Sequence, residues 1–173
     1  MHKTNIVLTG LMGSGKTTIG NLLANELGNY EFIDTDEVII DTMNMSINSI
    51  FEKYGEEKFR QIEKNVIANL IQEENNIISL GGGAFEDKET RENLLKNSIV
   101  FYLKASVDTL YERIKNDTSR PLLMTKNPKQ KLEKLLEIRE PHYNEAHFII
   151  DTNLLSPYNI VKEIQRRLNE QYN

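Results

Sequence analysis

The stretch Gly10-Leu11-Met12-Gly13-Ser14-Gly15-Lys16-Thr17 carries Gly10, Gly15, Lys16 and Thr17 at the spacing G-x-x-x-x-G-K-[ST]. This is the pattern of a phosphate-binding P-loop. Glycines let the backbone turn with its N–H groups pointing inward around an anion. The helix that follows presents its positive N-terminal end to the same anion. Lys16 is then expected to reach the β- and γ-phosphates and Thr17 to offer its hydroxyl to Mg²⁺. Gly13, Ser14, Gly15, Lys16, Thr17 and Thr18 are the candidate nucleotide contacts. The alternative is a chance glycine-rich turn, and the flanks argue against it. Asn5 to Thr9 reads as a buried strand, while Ile19, Leu22, Leu23 and Leu27 recur at helical spacing. Nucleotide binding follows, but the reaction does not, because such loops serve kinases, ATPases and GTPases alike.

Asp34-Thr35-Asp36 comes at the end of a short apolar run, Tyr30 to Ile33. If the strand persists, the two side chains alternate in direction, so that one carboxylate can face Mg²⁺ and the other a substrate hydroxyl. The plainer alternative is a solvated turn with a helix cap. Gly81-Gly82-Gly83 follows the apolar run Ile77 to Leu80 and allows close approach to bare backbone. Three glycines in succession cost conformational entropy, which favours a ligand surface over a flexible turn. The strand before them lacks a terminal Asp, so Asp34 is the better candidate for the metal, directly or through water. Arg60, Arg120 and Arg139 stand in local sequences that suggest anion contacts, since a guanidinium fork matches carboxylates and phosphates. Glu63, three residues after Arg60, can brace it. Arg91, Arg166 and Arg167 are read as surface charges, and His2, His142 and His147 as surface or packing residues without metal-ligand spacing.

The elements that must position these groups alternate between strand and helix. Further strands are expected at 77–80, 99–103 and 148–151. Helices are expected over 37–74, with Ser46 as a cap and a break at Gly55, over 88–96, and after Ser106. Two more are expected over 129–146, bent or broken near Pro141, and over 157–172. Five short strands interleaved with helices imply an α/β fold with a parallel sheet covered on both faces. Ligands of such sheets bind beyond the carboxyl ends of the strands, where the P-loop, the two aspartates and the glycine run all fall. The segment 116–128 lacks periodicity and reads as a mobile loop.

The 173 residues suit a single domain large enough for a sizeable core. A net charge of −5 argues against a nucleic-acid-binding body. The chain has no cysteine, which excludes disulfides and thiol catalysis. No apolar run approaches a membrane span. The first strand starts so early that no signal peptide is expected, and the expected location is cytoplasmic.

Taken together, the motifs resemble those of the shikimate kinase family, within the nucleoside-monophosphate-kinase-like P-loop enzymes. The P-loop, Asp34-Thr35-Asp36, Phe59-Arg60-Gln61-Ile62-Glu63, Gly81-Gly82-Gly83-Ala84, Arg120-Pro121-Leu122-Leu123 and Arg139 four residues before Tyr143 follow in the family's order and spacing. The resemblance covers essentially the whole chain. It implies a sheet of order 2-3-1-4-5 and phosphorylation of the shikimate 3-hydroxyl by ATP with Mg²⁺, a step toward chorismate and aromatic amino acids. It also implies a monomer whose only partners are small molecules. By the same resemblance Asp36, Arg60, Gly82, Gly83 and Arg139 contact shikimate, with Glu63 orienting Arg60. Lys16, Asp36 and Arg120 are the catalytic set, Thr17 and Asp34 serve the metal, and Arg113 with the turn 152–157 flanks adenine. Residues 35–63 would form the substrate-binding helical segment and 116–128 the lid that carries Arg120 onto the phosphates. Two positions depart from the family: Ile40 where Glu is frequent and Asn44 where Gly is usual. Asn tolerates the left-handed conformation that Gly would supply. Two rivals remain, a related small-molecule kinase such as a gluconate kinase and a nucleotide-dependent switch that has lost transfer. The paired arginines with the glycine run oppose the first, and the intact Lys16, Asp34, Asp36 and Arg120 oppose the second.

Overall fold

A computed structural model describes residues 5–116 and 126–172. Five strands, β1 (Asn5–Thr9), β2 (Glu31–Asp34), β3 (Asn76–Ser79), β4 (Ser98–Lys104) and β5 (Phe148–Asp151), form one sheet in the order β2-β3-β1-β4-β5. Every pairing is parallel. Seven helices cover it among the described residues: α1 (Lys16–Leu27), α2 (Thr35–Met43), α3 (Ile47–Leu70), α4 (Lys88–Asn97), α5 (Val107–Ile114), α6 (Pro128–Tyr143) and α7 (Pro157–Tyr172). A single 3-10 turn spans Ala84–Glu86.

The strands' alternation sorts the core into two layers. Ile6, Leu8, Phe101 and Leu103 pack on one face with Ile19 and Leu23 of α1 and Ile160 and Ile164 of α7. Val7, Val100 and Tyr102 face the other way, against Ile67 of α3, Leu94 of α4, Leu110 of α5 and Tyr143 of α6. A third, small core of Ile39, Ile50 and Phe59 joins α2 to α3. It holds α2 against the earlier part of α3, whose later part packs on the sheet through Ile67. The strand edge is finished by side chains: β5 begins pairing only at Phe148, and Nδ1 of His147 accepts the N–H of Val100 at 3.1 Å.

The expected elements appear with local shifts. α3 runs through the kink at Gly55, where φ is 79°, and its start is capped by Ser46, which accepts the Ser49 N–H at 3.1 Å. α6 begins one residue earlier than expected, with Pro128 at its first position and the Asn127 side chain accepting from Gln130. It passes Pro141 without breaking and ends at Tyr143, the Asn144 N–H closing on the Glu140 carbonyl at 2.9 Å.

Arg91 is a correction. It is 8% exposed, and its guanidinium donates to the carbonyls of Phe85 and Glu86 and to Glu145 at 2.9 Å. An arginine on a polar helix looks like a surface charge until the turn at 84–86 folds back over it. By contrast, Arg166 and Arg167 lie on the surface, paired with Glu163. Arg91→Ala would leave two carbonyls without their donor, and a loss of about 2 kcal/mol or more in urea unfolding is expected. A change within about 0.5 kcal/mol would show that the clasp carries no stability.

Candidate active site

The loop after β1 turns through three left-handed glycines, Gly10 (φ 143°), Gly13 (φ 82°) and Gly15 (φ 93°). Only Gly fits at position 13 for a second reason: a Cβ there would stand 2.8 Å from Cγ2 of Ile114 and 3.0 Å from the Leu110 carbonyl. α5 therefore packs directly against the loop. Nζ of Lys16 donates to the carbonyls of Gly10 at 2.9 Å and Leu11 at 3.3 Å, which keeps the ammonium over the loop. A cavity of about 450 Å³ opens in front of it. Gly13, Ser14, Gly15, Lys16, Thr17, Thr18 and Arg113 all line this cavity. Ser14 is buried, and its Oγ has no hydrogen-bond partner, as suits a group waiting for an anion.

The far wall of the cavity is apolar, made by Leu155, Pro157 and Ile160. Of the turn expected at 152–157, the later residues thus face the cavity, while Thr152 is buried behind it. Arg113 donates to the Thr152 carbonyl at 2.8 Å and to the Gly13 carbonyl at 3.2 Å, so the guanidinium bridges the turn and the P-loop. Burial holds its pKa below the ordinary arginine value. Leu155 belongs to the turn expected beside adenine, whereas Ile160 was not expected at the cavity, because α7 reads there as an ordinary packing face.

At the mouth of the sheet, β2 stops at Asp34 and α2 starts at Thr35. The strand-like alternation expected for Asp34-Thr35-Asp36 therefore does not occur. Asp34 instead caps α2, its Oδ1 accepting the Asp36 N–H at 3.0 Å, while its Oδ2 accepts from the Thr17 hydroxyl at 3.1 Å. A hydroxyl and a carboxylate, both hard oxygen donors, are thus held together beside the phosphate loop. That pairing fits Mg²⁺, which takes few protein ligands and keeps water and phosphate oxygens. No group of three or more His, Asp or Glu side chains able to hold a metal occurs among the described residues, so nothing there would form an all-protein cage.

A second cavity, of about 300 Å³, lies beside the first and shares Met12, Lys16 and Thr17 with it. Asp36, Arg60, Gly82, Gly83 and Arg139, the expected substrate contacts, all line it, with Asp34 and Glu63. The glycine run explains how they fit. A Cβ on Gly81 would lie 2.7 Å from Oε1 of Glu63 and 2.8 Å from Oδ1 of Asp36. One on Gly83 would lie 2.6 Å from Nη2 of Arg60, and one on Gly82 would lie 3.2 Å from Nη1 of Arg139. The bare backbone is needed first by the protein's own charged side chains. Glu63, 3% exposed, pairs with Arg60 at 2.6 Å. Burial pushes its carboxyl above the usual range, and the Arg60 guanidinium partly offsets this.

Five residues in or beside this cavity have parts that were not anticipated. Thr35, between the aspartates, accepts the Gly81 N–H at 3.0 Å and ties α2 to the glycine turn. Ile47, Phe51 and Phe59 supply an apolar side. The Tyr143 hydroxyl donates to the Gly82 carbonyl at 2.5 Å. The four-residue spacing from Arg139 placed Tyr143 on the arginine's helix face, but not its hydroxyl on the turn. Arg120 and most of the expected lid, 117–125, lie outside the described residues.

The sequence model of the shikimate kinase family matches residues 12–169. The chain belongs to the shikimate kinase family. A shikimate kinase of Thermodesulfovibrio yellowstonii is 42% identical over 160 residues, 92% of either chain. Among solved structures, a shikimate kinase from Acinetobacter baumannii in complex with shikimate superposes with a TM-score of 0.91 at 40% identity, covering 97% of this chain and 94% of that one. Membership of the shikimate kinases carries the activity with it, phosphorylation of shikimate in aromatic biosynthesis, with ATP as phosphoryl donor. A gluconokinase from Sinorhizobium meliloti has a TM-score of 0.61 at 19% identity, and shares the fold alone.

The two departures from the shikimate kinase pattern have a structural account. Asn44 caps α2 in the left-handed conformation (φ 51°, ψ 39°), the one a glycine would supply. Ile40 is 38% exposed, and neither residue lines the two cavities described above. No described helix is long and apolar enough to cross a membrane.

Proposed function

We propose that this chain transfers the γ-phosphoryl group of Mg·ATP to the 3-hydroxyl of shikimate, with the two cavities as donor and acceptor sites. The observation that carries the reading is their junction: Lys16 and Thr17 line both, with Asp36 and the two arginines across from them. The P-loop amides and Lys16 hold the donor phosphates. Arg60 and Arg139 present guanidinium forks to the shikimate carboxylate, and Asp36 aligns the 3-hydroxyl. The bond from the γ-phosphorus to the ADP oxygen breaks as the bond to the 3-oxygen forms, and the hydroxyl proton leaves toward Asp36. Mg²⁺, beside Thr17 and Asp34, would neutralise charge on the donor phosphates. Such a transfer depends on positioning and charge more than on covalent chemistry, which is what these residues provide.

In this reading residues 35–63 form the substrate-binding segment of one P-loop kinase domain, and 116–128 form a lid. The lid brings Arg120 onto the transferring group and excludes water. The enzyme works as a cytoplasmic monomer. The test is ADP release by the purified protein with Mg·ATP and, in turn, shikimate, gluconate or a nucleoside monophosphate. Fast release with shikimate alone is the expected result. Stimulation by either of the others without shikimate overturns the acceptor assignment, and equal release with no acceptor makes the chain an ATPase.

A further inference from the structure

Tyr143 ends α6 one turn beyond Arg139 and is fully buried. Its ring lies against Tyr102 of β4, with centroids 5.0 Å apart. Phenylalanine would fill that space equally well, so the packing leaves the hydroxyl unexplained. That hydroxyl donates to the carbonyl of Gly82 at 2.5 Å, and the Arg139 guanidinium stands against the same glycine: a Cβ on Gly82 would lie 3.2 Å from Nη1 of Arg139 and 4.0 Å from the Tyr143 oxygen. The hydroxyl thus pins the middle of the glycine turn at the place where the guanidinium sits. Burial pushes the phenol up to about 12, although Arg139 pulls the other way, so the group stays protonated and remains a donor at neutral pH. Tyr102 offers a contrast within the same layer. Its hydroxyl reaches Glu140 at 3.4 Å, and Glu140 pairs with Lys104 at 2.9 Å, away from the glycine turn.

An arginine that must be ordered on binding loses affinity to rotamer entropy, and one already held in place does not. We propose that Tyr143 is a positioning residue for the substrate carboxylate: its hydroxyl holds the Arg139 fork and the Gly82 peptide in the arrangement that receives the anion. This rests on the shikimate reading above. Tyr143 does not touch the transferring phosphoryl group in this account, so its effect falls on acceptor binding rather than on the chemical step.

Tyr143→Phe keeps the ring and removes the link. The KM for shikimate should rise about tenfold, the loss of one hydrogen bond to a charged group, while kcat and the KM for ATP change less than about twofold. In an Arg139→Ala background the same substitution should add nothing. A neutral shikimate amide should be used equally poorly by parent and variant. Tyr102→Phe should leave the shikimate KM at the parent value. An active parent with an unchanged KM in Tyr143→Phe overturns the proposal alone. So does a rise shared with Tyr102→Phe, a rise shared by ATP, or an additive effect on Arg139→Ala, since each marks a packing residue. A parent that phosphorylates gluconate and not shikimate overturns the functional reading and this proposal together.

Discussion

Lys16→Ala is expected to lower turnover by roughly two to three orders of magnitude, the scale at which one preorganised charge-stabilising donor acts on a transition state. The ammonium is placed for this by the loop itself, through the carbonyls of Gly10 and Leu11. Those same bonds predict a smaller second effect, some loosening of the loop and weaker nucleotide binding. Calorimetric titration with Mg·ADP separates the two. The fall in turnover should exceed the fall in ADP affinity by about tenfold or more. Lys16→Arg should restore little, because the planar guanidinium is not a compact ammonium. If Lys16→Ala keeps more than about a tenth of parent turnover, the transferring group does not sit where the P-loop places it.

Loss of either arginine of the acceptor cavity should weaken shikimate binding by roughly ten- to a hundredfold, since each supplies charge-assisted hydrogen bonds worth about 1.5–3 kcal/mol. Arg139→Ala is the cleaner test, because Arg60 has a second task. It pairs with Glu63, whose carboxyl is buried and already shifted upward by that burial. Arg60→Ala removes the main offset, so the folded-state pKa of Glu63 should rise further above its unfolded value. A group shifted that way contributes its stability at low pH and loses it as pH rises through the folded pKa. Arg60→Ala should therefore be less stable than the parent at neutral pH and recover ground as acidification passes through the raised Glu63 value toward the unfolded one. Arg139→Ala should show a smaller recovery, because Arg139 is the weaker of the two guanidinium charges that lower Glu63. Titrations with shikimate and with Mg·ATP, together with urea unfolding at several pH values, read all of this. Unchanged shikimate affinity in both variants would misplace the acceptor pocket, and lost ATP affinity would mean that the two cavities have been exchanged.

Much of this was legible in the chain because it depends on neighbours in sequence. The P-loop is a local conformation, so Gly10, Gly15, Lys16 and Thr17 announce it wherever a strand precedes and a helix follows. Short apolar runs located the five strands and 3.6-residue apolar patterns the helices, and their alternation required a parallel sheet. A parallel sheet places every strand's carboxyl end on one edge, which is why Asp34, Asp36 and the glycine run could be expected to meet. The order of the strands came from family resemblance rather than from pattern, and the sheet has that order.

What the sequence by itself determined was the inventory: a phosphate loop, two carboxylates, a bare turn and a set of arginines, arranged along one edge of a parallel sheet. Only the tertiary structure decided which partner each group has. Asp34 reads as one of an alternating pair, yet it became a helix cap because the strand stops where Ser79 ends the neighbouring strand. Arg91 looks like surface charge and is buried, since the turn at 84–86 and Glu145, distant in sequence, close over it. The glycines at 81–83 read as room for a ligand, whereas much of that room is taken by Glu63, Asp36, Arg60 and Arg139. The reason is common to all three. Secondary structure follows from local propensity and periodicity, but burial, hydrogen-bond partner and pKa depend on groups that the chain brings together only when it packs.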